Sequence, residues 1–262
     1  MEIYSSLKLD RALLKFPLGL AIGSFDGVHL GHQALFYHLR QTLGSKEATL
    51  AALTFSNHPT DILSKNGPVK RIYSTQQKLR MLESIGVDLV FLLPFTKELA
   101  QKTYEQFLKE AYEAFPFSFL IFGEGDVIGK NREGVASKVQ ELGASMGFNA
   151  IYLPKQLLNH QTISSGRIRE CIQQADFKKA AQLLGRPYSI YAPFYAEEGS
   201  DCAGFLDVAG LCLPPEGPYT VNFMPNQQEM KITVDAVNEK IYLKSADNLS
   251  TLLGSFIEIT FI

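Results

Sequence analysis

Two histidines, His29 and His32, stand three residues apart in a stretch suited to binding and transferring phosphate groups. An apolar run ends just before Gly23, a second glycine follows at Gly27, and a helical pattern covers residues 33–43. These features predict a strand, a tight turn and a helix start, and a helix N-terminus offers unpaired N–H groups and a positive dipole end to anions. Because both histidines lie at this helix start, they can face one bound ligand.

The chemistry that this arrangement suits is nucleotidyl transfer. In-line attack on the α-phosphorus of ATP places negative charge on the non-bridging oxygens and on the leaving pyrophosphate, and the protein contributes positioning and electrostatic stabilisation. We expect an imidazole N–H of His29 or His32 to donate to the α- or β-phosphate oxygens, and Gly23 and Gly27 permit phosphates to approach the backbone closely. The alternative for one histidine is a surface residue at a helix start, but the glycines, the strand and both histidines together favour a phosphate site.

Polar residues gather at two further places. Ser164 and Ser165 precede a helical pattern, and Arg169 follows one turn later, so all three can reach the same phosphates. A serine at this place also caps helices for stability alone. Asn57 and His58 come directly after the second predicted strand, where ligands of α/β sheets gather. The alternative for this pair is a turn stabilised by the asparagine side chain.

Short apolar runs alternate with amphipathic segments from residue 18 to about residue 184. This alternation predicts βαβ units and a parallel sheet. The predicted strands cover residues 18–22, 49–55, 89–93, 117–122 and 150–153; the predicted helices cover residues 33–43, 75–84, 104–114, 135–146, 167–173 and 177–184, with Ser164 or Ser165 as N-cap of the helix at 167–173.

The pattern changes after Gly185, Arg186 and Pro187. Runs of strand composition at residues 188–194, 219–223, 230–234, 240–243 and 255–261, separated by turn residues, predict a small β-barrel or sandwich. Helical periodicity is weak there except at residues 248–253. The sequence therefore predicts an α/β domain with a parallel sheet over residues 1–185 and a small β-barrel domain over residues 186–262.

Composition excludes several classes of protein. The chain has 262 residues, of which 46% are hydrophobic, which is enough for one large domain or two modest ones. A net charge of -2 argues against nucleic acid or an anionic membrane as the main partner. The three cysteines lack CxxC spacing, so neither a disulfide framework nor a structural zinc site is expected. No apolar run approaches a membrane span or a signal peptide. We expect a cytoplasmic protein with small-molecule partners and assign no metal ligand.

The string IGSFDGVHLGHQAL at residues 22–35 closely resembles the HxGH motif of the bacterial bifunctional riboflavin kinase/FMN adenylyltransferases, the FAD synthetases. TFSNHP at 54–59, FTKELA at 95–100 and ISSGRIR at 163–169 resemble further segments of that family, so the resemblance covers about residues 15–185. It implies a Rossmann-like nucleotidylyltransferase domain that makes FAD and pyrophosphate from FMN and ATP, with Mg²⁺ accompanying ATP. The residue roles it implies are catalysis by His29, His32 and Arg169, ATP binding by Gly23, Phe25, Asp26, Gly31, Ser164 and Ser165, and flavin binding by Asn57, His58, Gly123 and Asp126.

The chain departs from this family in the expected flavin wall. The family usually shows a glycine, an acidic residue and then DFxFG, whereas this chain reads GEGDVIG at residues 123–129. Gly125 thus stands for Asp, Asp126 for Phe and Ile128 for the second Phe, and in the later motif Gly166 stands for Thr. We expect altered FMN binding, and an HxGH enzyme with a different phosphate acceptor remains an alternative.

The part from residue 186 resembles the riboflavin-kinase barrel only in fragments, LPPEGPYTV at 213–221 and FIEITF at 256–261. The GxPTAN element of that barrel is not visible at residues 196–205, and the chain stops at Ile262 without the helices that follow in that domain. We therefore expect the kinase activity to be lost. The alternatives are a full bifunctional enzyme and a flavin- or nucleotide-binding protein without turnover; the oligomeric state stays open.

Overall fold

The computed structural model describes residues 1–8, 16–45, 47–65, 67–197, 202–224, 226–244 and 252–262. The chain forms two packed units, one of Met1–Val69 with Arg80–Thr162 and the other of Lys70–Leu79 with Ile163–Ile262. The boundary that the sequence predicts near residue 185 stays a prediction. Among the helices of the described residues, none combines the length and the apolar character needed to cross a membrane.

The first unit is built on a six-stranded parallel sheet. Its strands, in the order β1-β4-β3-β2-β5-β6, are β1 (Glu2–Tyr4), β2 (Leu18–Ile22), β3 (Thr49–Phe55), β4 (Leu89–Leu93), β5 (Phe119–Gly123) and β6 (Asn149–Leu153). Every residue of β2 and β3 is buried, as expected of central parallel strands covered on both faces. Because the chain winds outward in opposite directions from β2 and β5, these neighbours form a switch point, where ligands of such sheets bind.

Helices connect these strands and supply the rest of the core. They are α1 (Leu30–Leu43), α2 (Thr60–Leu63), α3 (Thr75–Ser84), α4 (Lys97–Gln101), α5 (Tyr104–Ala114) and α6 (Ala136–Met146), and a short pair, β7 (Leu157–Leu158) and β8 (Gln161–Thr162), follows β6. The apolar face of α1 repeats every three or four residues and is buried. Phe91 of β4 stacks on Phe115 after α5 with ring centroids 3.8 Å apart. These contacts fix the elements that carry the loops at the carboxyl edge of the sheet.

The second unit contains a closed antiparallel barrel of six strands, which are residues 202–207, 240–244, 228–235, 217–223, 256–261 and 189–195 in order around the barrel. Inward residues such as Ile232, Val234 and Ile259 are fully buried and alternate with more exposed ones. Two helices precede the barrel. The elements are α7 (Ser165–Gln173), α8 (Phe177–Leu184), β9 (Ser189–Tyr195), β10 (Cys202–Asp207), β11 (Gly217–Phe223), β12 (Gln228–Asp235), β13 (Lys240–Lys244) and β14 (Phe256–Phe261).

Residues 70–79 belong to the barrel unit through polar contacts with β9. Gln77 is 1% exposed, and its amide donates to the carbonyl oxygen of Ser189 at 2.9 Å and to its hydroxyl at 3.0 Å. The Gln77 amide oxygen accepts from the Tyr191 N–H, and the Ser74 hydroxyl donates to the Tyr191 carbonyl oxygen. These bonds satisfy buried backbone groups, so this segment is part of the second unit although it is far from it in sequence.

The predicted parallel sheet and the predicted barrel are confirmed, and several bounds differ. Helix α1 begins at Leu30 rather than at residue 33, because His29 is its N-cap. Strand β10 was not predicted, and the register shift between Cys202 and Gly204 interrupts the alternation that would reveal it. The strand predicted at 117–122 runs from Phe119 to Gly123. The helical periodicity at 248–253 falls largely on residues 245–251, which lie outside the described residues.

Candidate active site

The turn after β2 reverses the chain sharply before α1. Phe25, Gly27 and Val28 all have positive φ, of +47°, +82° and +39°, and the Val28 N–H donates to the Phe25 carbonyl oxygen at 3.1 Å. Positive φ is rare for a β-branched residue such as Val28 and is costly unless its surroundings enforce it. Strain of this kind concentrates at functional sites, and here it sets the direction in which α1 starts.

The two histidines form a stacked pair at the start of α1. The His29 Nδ1 caps the helix by accepting the His32 backbone N–H at 3.4 Å, and the two rings are 3.7 Å apart at 15°. His29 is buried, and the half-buried His32 meets the edge of Phe25 at 5.3 Å. A neutral imidazole that accepts at Nδ1 carries its proton on Nε2. The cap therefore makes Nε2 the N–H donor of His29.

Neighbouring groups hold this turn in place. The fully buried Thr54 of β3 donates its hydroxyl to the Ser24 carbonyl oxygen at 3.1 Å, and the Gly23 N–H donates to the Leu53 carbonyl oxygen at 3.1 Å. The predicted ATP residues Asp26, which is 5% exposed, and Gly31, in the first turn of α1, belong to the same turn and helix start. Gly23, Phe25, Asp26, His29, Gly31 and His32 are thus brought together.

A cavity of about 580 Å³ opens at the carboxyl edge of the sheet in the first unit. It falls in the size range of small-molecule sites, which combine apolar walls with a few polar groups. His32, Gly23 and Ser24 line it on the side of the turn. Its aromatic walls are Phe25, Phe55, Phe95, Phe107 and Phe122, and its charged lining residues are Lys102, Asp126, Lys130 and Arg132.

The loop from β5 to α6 forms one wall of this cavity. Residues Gly125 to Arg132 line the cavity, and Ile128 and Gly134 exchange backbone hydrogen bonds across the loop. Gly129 has φ +78°, and a Cβ on it would lie 2.4 Å from the Tyr104 backbone nitrogen. Glycine is therefore required where the loop crosses the start of α5, and it keeps the wall close to the body of the unit.

Asp126, which stands where the resembled motif usually has a phenylalanine, lies on this wall. Its Oδ2 accepts the Gly123 N–H at 2.9 Å, and its own N–H donates to the Gly123 carbonyl oxygen at 3.0 Å. Desolvation raises the pKa of the Asp126 carboxyl, while the Gly123 hydrogen bond and the charges of Lys155 and Arg132 act in the opposite direction. Burial, followed by the Asp126 charge, raises the pKa of Tyr152 to about 12.

Of the four predicted flavin residues, Asp126 lines the cavity, and the structure places Asn57, His58 and Gly123 outside its lining. The Asn57 amide donates to the Phe95 carbonyl oxygen at 3.0 Å and accepts the Phe95 N–H at 2.8 Å. Asn57 therefore fixes Phe95, which does line the cavity and meets Phe55 edge-on at 5.0 Å. The His58 Nδ1 accepts the Thr60 N–H at 3.2 Å and so stabilises the turn before α2.

The second predicted phosphate motif lies in the second unit. Ser164 is the N-cap of α7, where its hydroxyl accepts the Arg167 N–H at 3.4 Å, so the capping interpretation is realised. Ser165 begins the helix, and Arg169 stands half-buried one turn later. Gly166 leaves space, since a Cβ there would approach the Ser164 hydroxyl only to 3.8 Å.

The residues present suit a metal ion that arrives with a nucleotide. Within the described part of the chain, no group of three or more His, Cys, Asp or Glu residues is arranged to hold a metal ion. Mg²⁺ is commonly bound by one or two carboxylates together with substrate phosphates. Asp26, in the same turn as His29, carries a buried carboxyl group of that chemical type.

Sequence reasoning missed most of the cavity lining as site residues. Phe107 comes from α5, Lys102 and Arg132 come from connecting segments, and Phe95 and Phe122 lie at the carboxyl ends of β4 and β5. That position was the available signal, because ligands of open parallel sheets gather at this edge. Aromatic type alone carries no such information, because most aromatic residues of this unit are core.

The fold and the site define an α/β protein with a ligand cavity at the switch point of its sheet, beside a histidine-bearing helix start. The chain belongs to the FAD synthetase family, whose family model matches residues 16–167, more than half of the 262 residues. The resemblance noted in the motifs is thereby confirmed.

Several curated relatives carry the name bifunctional riboflavin kinase/FMN adenylyltransferase. The one from Haemophilus influenzae is 33% identical over 174 residues, which are 66% of this chain and 56% of that protein. The one from Buchnera aphidicola subsp. Schizaphis graminum is 32% identical over 65% of this chain and 55% of that protein, and the one from Listeria monocytogenes is 29% identical over 88% and 75%. The matches therefore span little more than half of the first two relatives.

A solved structure extends the comparison of the fold to almost the whole chain. The crystal structure of a macrolide-efflux protein from Streptococcus pneumoniae matches with a TM-score of 0.74 and covers 93% of this chain and 83% of that one. The sequences are 22% identical, so the likeness concerns the fold alone.

Proposed function

We propose that this protein is an FMN adenylyltransferase that makes FAD and pyrophosphate from FMN and ATP. An oxygen of the FMN 5′-phosphate forms a bond to the α-phosphorus, and the bond from that phosphorus to the bridging oxygen of pyrophosphate breaks. The observation that carries the proposal is the stacked pair of His29 and His32 at a helix start, beside an aromatic-walled cavity. Membership of the FAD synthetase family supports it.

The residues of the turn supply electrostatic stabilisation. The FMN phosphate is ionised at neutral pH, so the reaction needs no strong general base. The Nε2 N–H of His29 and the ring of His32 donate to the α-phosphate as charge develops there, and Gly23, Gly31 and Phe25 give the nucleotide a close approach to the backbone.

The proposed contacts to the β- and γ-phosphates of ATP rest on the sequence resemblance. Ser164, Ser165 and Arg169 are assigned to the β- and γ-phosphates of ATP, because hydroxyls and a guanidinium are suited to that task. Mg²⁺ bound with ATP would neutralise the phosphates, with Asp26 orienting the turn or the metal-bound nucleotide.

The flavin ring is assigned to the aromatic cavity. Phe55, Phe95 and Phe122 provide walls that replace the missing phenylalanines of the 123–129 segment, and Asp126, whose carboxylate accepts the Gly123 N–H, forms the polar edge of the cavity. Asn57, paired with the Phe95 backbone, acts as a positioning residue, and His58 supports the neighbouring turn.

We further propose that the protein lacks riboflavin kinase activity and works in the cytoplasm. The barrel domain over residues 186–262 then serves to shield the adenylyltransferase site or to mediate assembly. Residues 198–201, where part of the kinase element would stand, lie outside the described residues. The test offers riboflavin and ATP to the purified protein. We expect no FMN, and FMN formation would establish a bifunctional enzyme instead.

The same catalytic turn serves a second candidate, a nucleotidylyltransferase with a different phosphate acceptor. The observation that favours it is the altered wall, where Asp126 and Ile128 line the cavity in place of aromatic residues. A panel of FMN, pantetheine phosphate and nicotinate mononucleotide, each with ATP, discriminates the two. Turnover of another acceptor with none of FMN would replace the first candidate by the second.

The histidine pair is tested by His29→Ala with His32→Ala. Removing one oxyanion-stabilising donor typically costs about 100- to 1000-fold in kcat, so we expect at least that loss from the double variant. His29→Asn refines the test, because asparagine preserves the helix cap and removes the imidazole Nε2 donor. His38→Ala, on the same helix but with no assigned role, is the matched control. A folded double variant with undiminished FAD formation contradicts the proposal.

A further inference from the structure

Asp126 differs chemically from the residues that surround it on the cavity wall. Among the described residues, the other charged side chains of the lining are the cations Lys102, Lys130 and Arg132. The uncharged lining residues are largely apolar or aromatic. Cations and histidine N–H groups suit phosphates and ligand carbonyls, because these accept hydrogen bonds. A carboxylate instead recognises a hydrogen-bond donor on the ligand.

The carboxylate is held in one orientation by its own turn. Oδ2 is engaged by the Gly123 N–H at 2.9 Å, and the return bond from the Asp126 N–H to the Gly123 carbonyl oxygen closes the turn. No further hydrogen bond reaches this carboxylate from the residues that the structure describes, so Oδ1 keeps its accepting capacity. Desolvation raises the pKa of the Asp126 carboxyl, and the Gly123 hydrogen bond and the charges of Lys155 and Arg132 act in the opposite direction. Asp126 is exposed and lines the cavity, so its Oδ1 is an acceptor that a ligand in the cavity can reach.

We propose that Asp126 determines specificity by accepting a hydrogen bond from the imide N–H of the flavin ring at Oδ1. This inference rests on the proposed FMN adenylyltransferase function and identifies the flavin imide N–H as the group that Asp126 recognises. A flavin ring presents one ring N–H between two carbonyls, and a flat ring placed among Phe55, Phe95 and Phe122 has this edge free to meet a polar wall. The aspartate thereby contributes by hydrogen bonding at a position where the family motif usually has a phenylalanine.

The test compares FMN with 3-methyl-FMN, which lacks the imide N–H, as substrates for FAD-type product formation with ATP. A hydrogen bond to a charged group leads us to expect the wild type to prefer FMN by roughly 10- to 100-fold in kcat/KM. Asp126→Asn keeps an oxygen for the Gly123 N–H and turns an NH₂ group toward the ring, so the preference should fall by about 10-fold. The steric cost of the methyl group is common to both proteins and cancels in this comparison.

Glu124→Gln is the matched control, because Glu124 is an exposed carboxylate in the same loop and outside the lining. We expect it to keep the wild-type preference. If the wild type and Asp126→Asn prefer FMN over 3-methyl-FMN equally, and both form FAD from FMN, this inference is overturned while the proposed function stands. A contact between Asp126 and a ribityl hydroxyl would give this result, with kcat/KM for both flavins lowered equally in Asp126→Asn. No product from either flavin with folded wild-type protein overturns the proposed function itself.

Discussion

Replacing Asn57 by alanine separates a residue that shapes the site from one that touches substrate. The Asn57 amide makes two hydrogen bonds with the Phe95 backbone, at 3.0 and 2.8 Å, in a partly buried setting. Each such bond contributes about 1 kcal/mol, so Asn57→Ala should lower the free energy of unfolding by about 2 kcal/mol. For a domain of this size, that corresponds to a fall in Tm of roughly 4–8 °C.

The same substitution should affect substrate binding more than chemistry. Once released, the Phe95 backbone no longer fixes the ring that lines the cavity, so we expect KM for FMN to rise several-fold with little change in kcat. Asn57→Asp keeps the acceptor for the Phe95 N–H and removes the donor to its carbonyl oxygen, so its loss of stability should be about half or more of the alanine value.

Thermal and urea unfolding together with steady-state kinetics measure both effects. Asn149→Ala, which truncates an exposed asparagine at the start of β6, is the control and should change stability by no more than about 0.5 kcal/mol. Unchanged stability with a raised KM in Asn57→Ala would contradict a structural role for Asn57, because that pattern indicates direct contact with the substrate. Unchanged stability and unchanged KM would remove Asn57 from the site altogether.

Three further substitutions test local features of the structure. Gly129→Ala should lower the free energy of unfolding by more than about 1 kcal/mol and raise KM for FMN, because its Cβ would lie 2.4 Å from a backbone nitrogen of α5. Gly67 has a similar φ of +88° with nothing within 4 Å, so Gly67→Ala should lower stability less. Equal losses of Tm in the two variants would contradict this prediction. Gln77→Leu removes three hydrogen bonds to β9 and should cost about 3 kcal/mol in urea unfolding, against little change for the exposed Gln76→Leu. Gly166→Thr fits the open space at the start of α7 and should leave Tm within about 2 °C of the wild type; a larger fall would show that the space is not available.

The parts of the fold that were visible in the sequence are those with a local signal. Strands β2 and β3 are near-continuous apolar runs because both of their faces are buried, and helix α5 shows its apolar spacing between Thr103, which caps it, and Ala114. Strand β10 was not predicted, because a register shift interrupts the alternation of inward and outward residues along it. The packing of residues 70–79 with the barrel depends on the amide of Gln77, whose partners are more than a hundred residues away.

The candidate site divides in the same way. His29 and His32 were identifiable because a strand, a turn and a helix start place them locally, and the structure adds their stacking and the cap. Asn57 was ambiguous between a ligand contact and a turn, since its true partner, Phe95, is brought close only by the pairing of β3 with β4. The aromatic lining was not predictable as a set, because it is assembled from separate segments by tertiary packing.

FMN adenylyltransferase activity is measured most directly by a chromatographic product assay with the purified protein, ATP, Mg²⁺ and FMN. We predict one FAD and one pyrophosphate for each FMN and ATP consumed, with formation of both products lost when His29 and His32 are replaced together. No FAD from FMN under conditions in which the protein is folded would contradict the claim and would leave the cavity beside the histidine pair to a different acceptor or to binding without turnover.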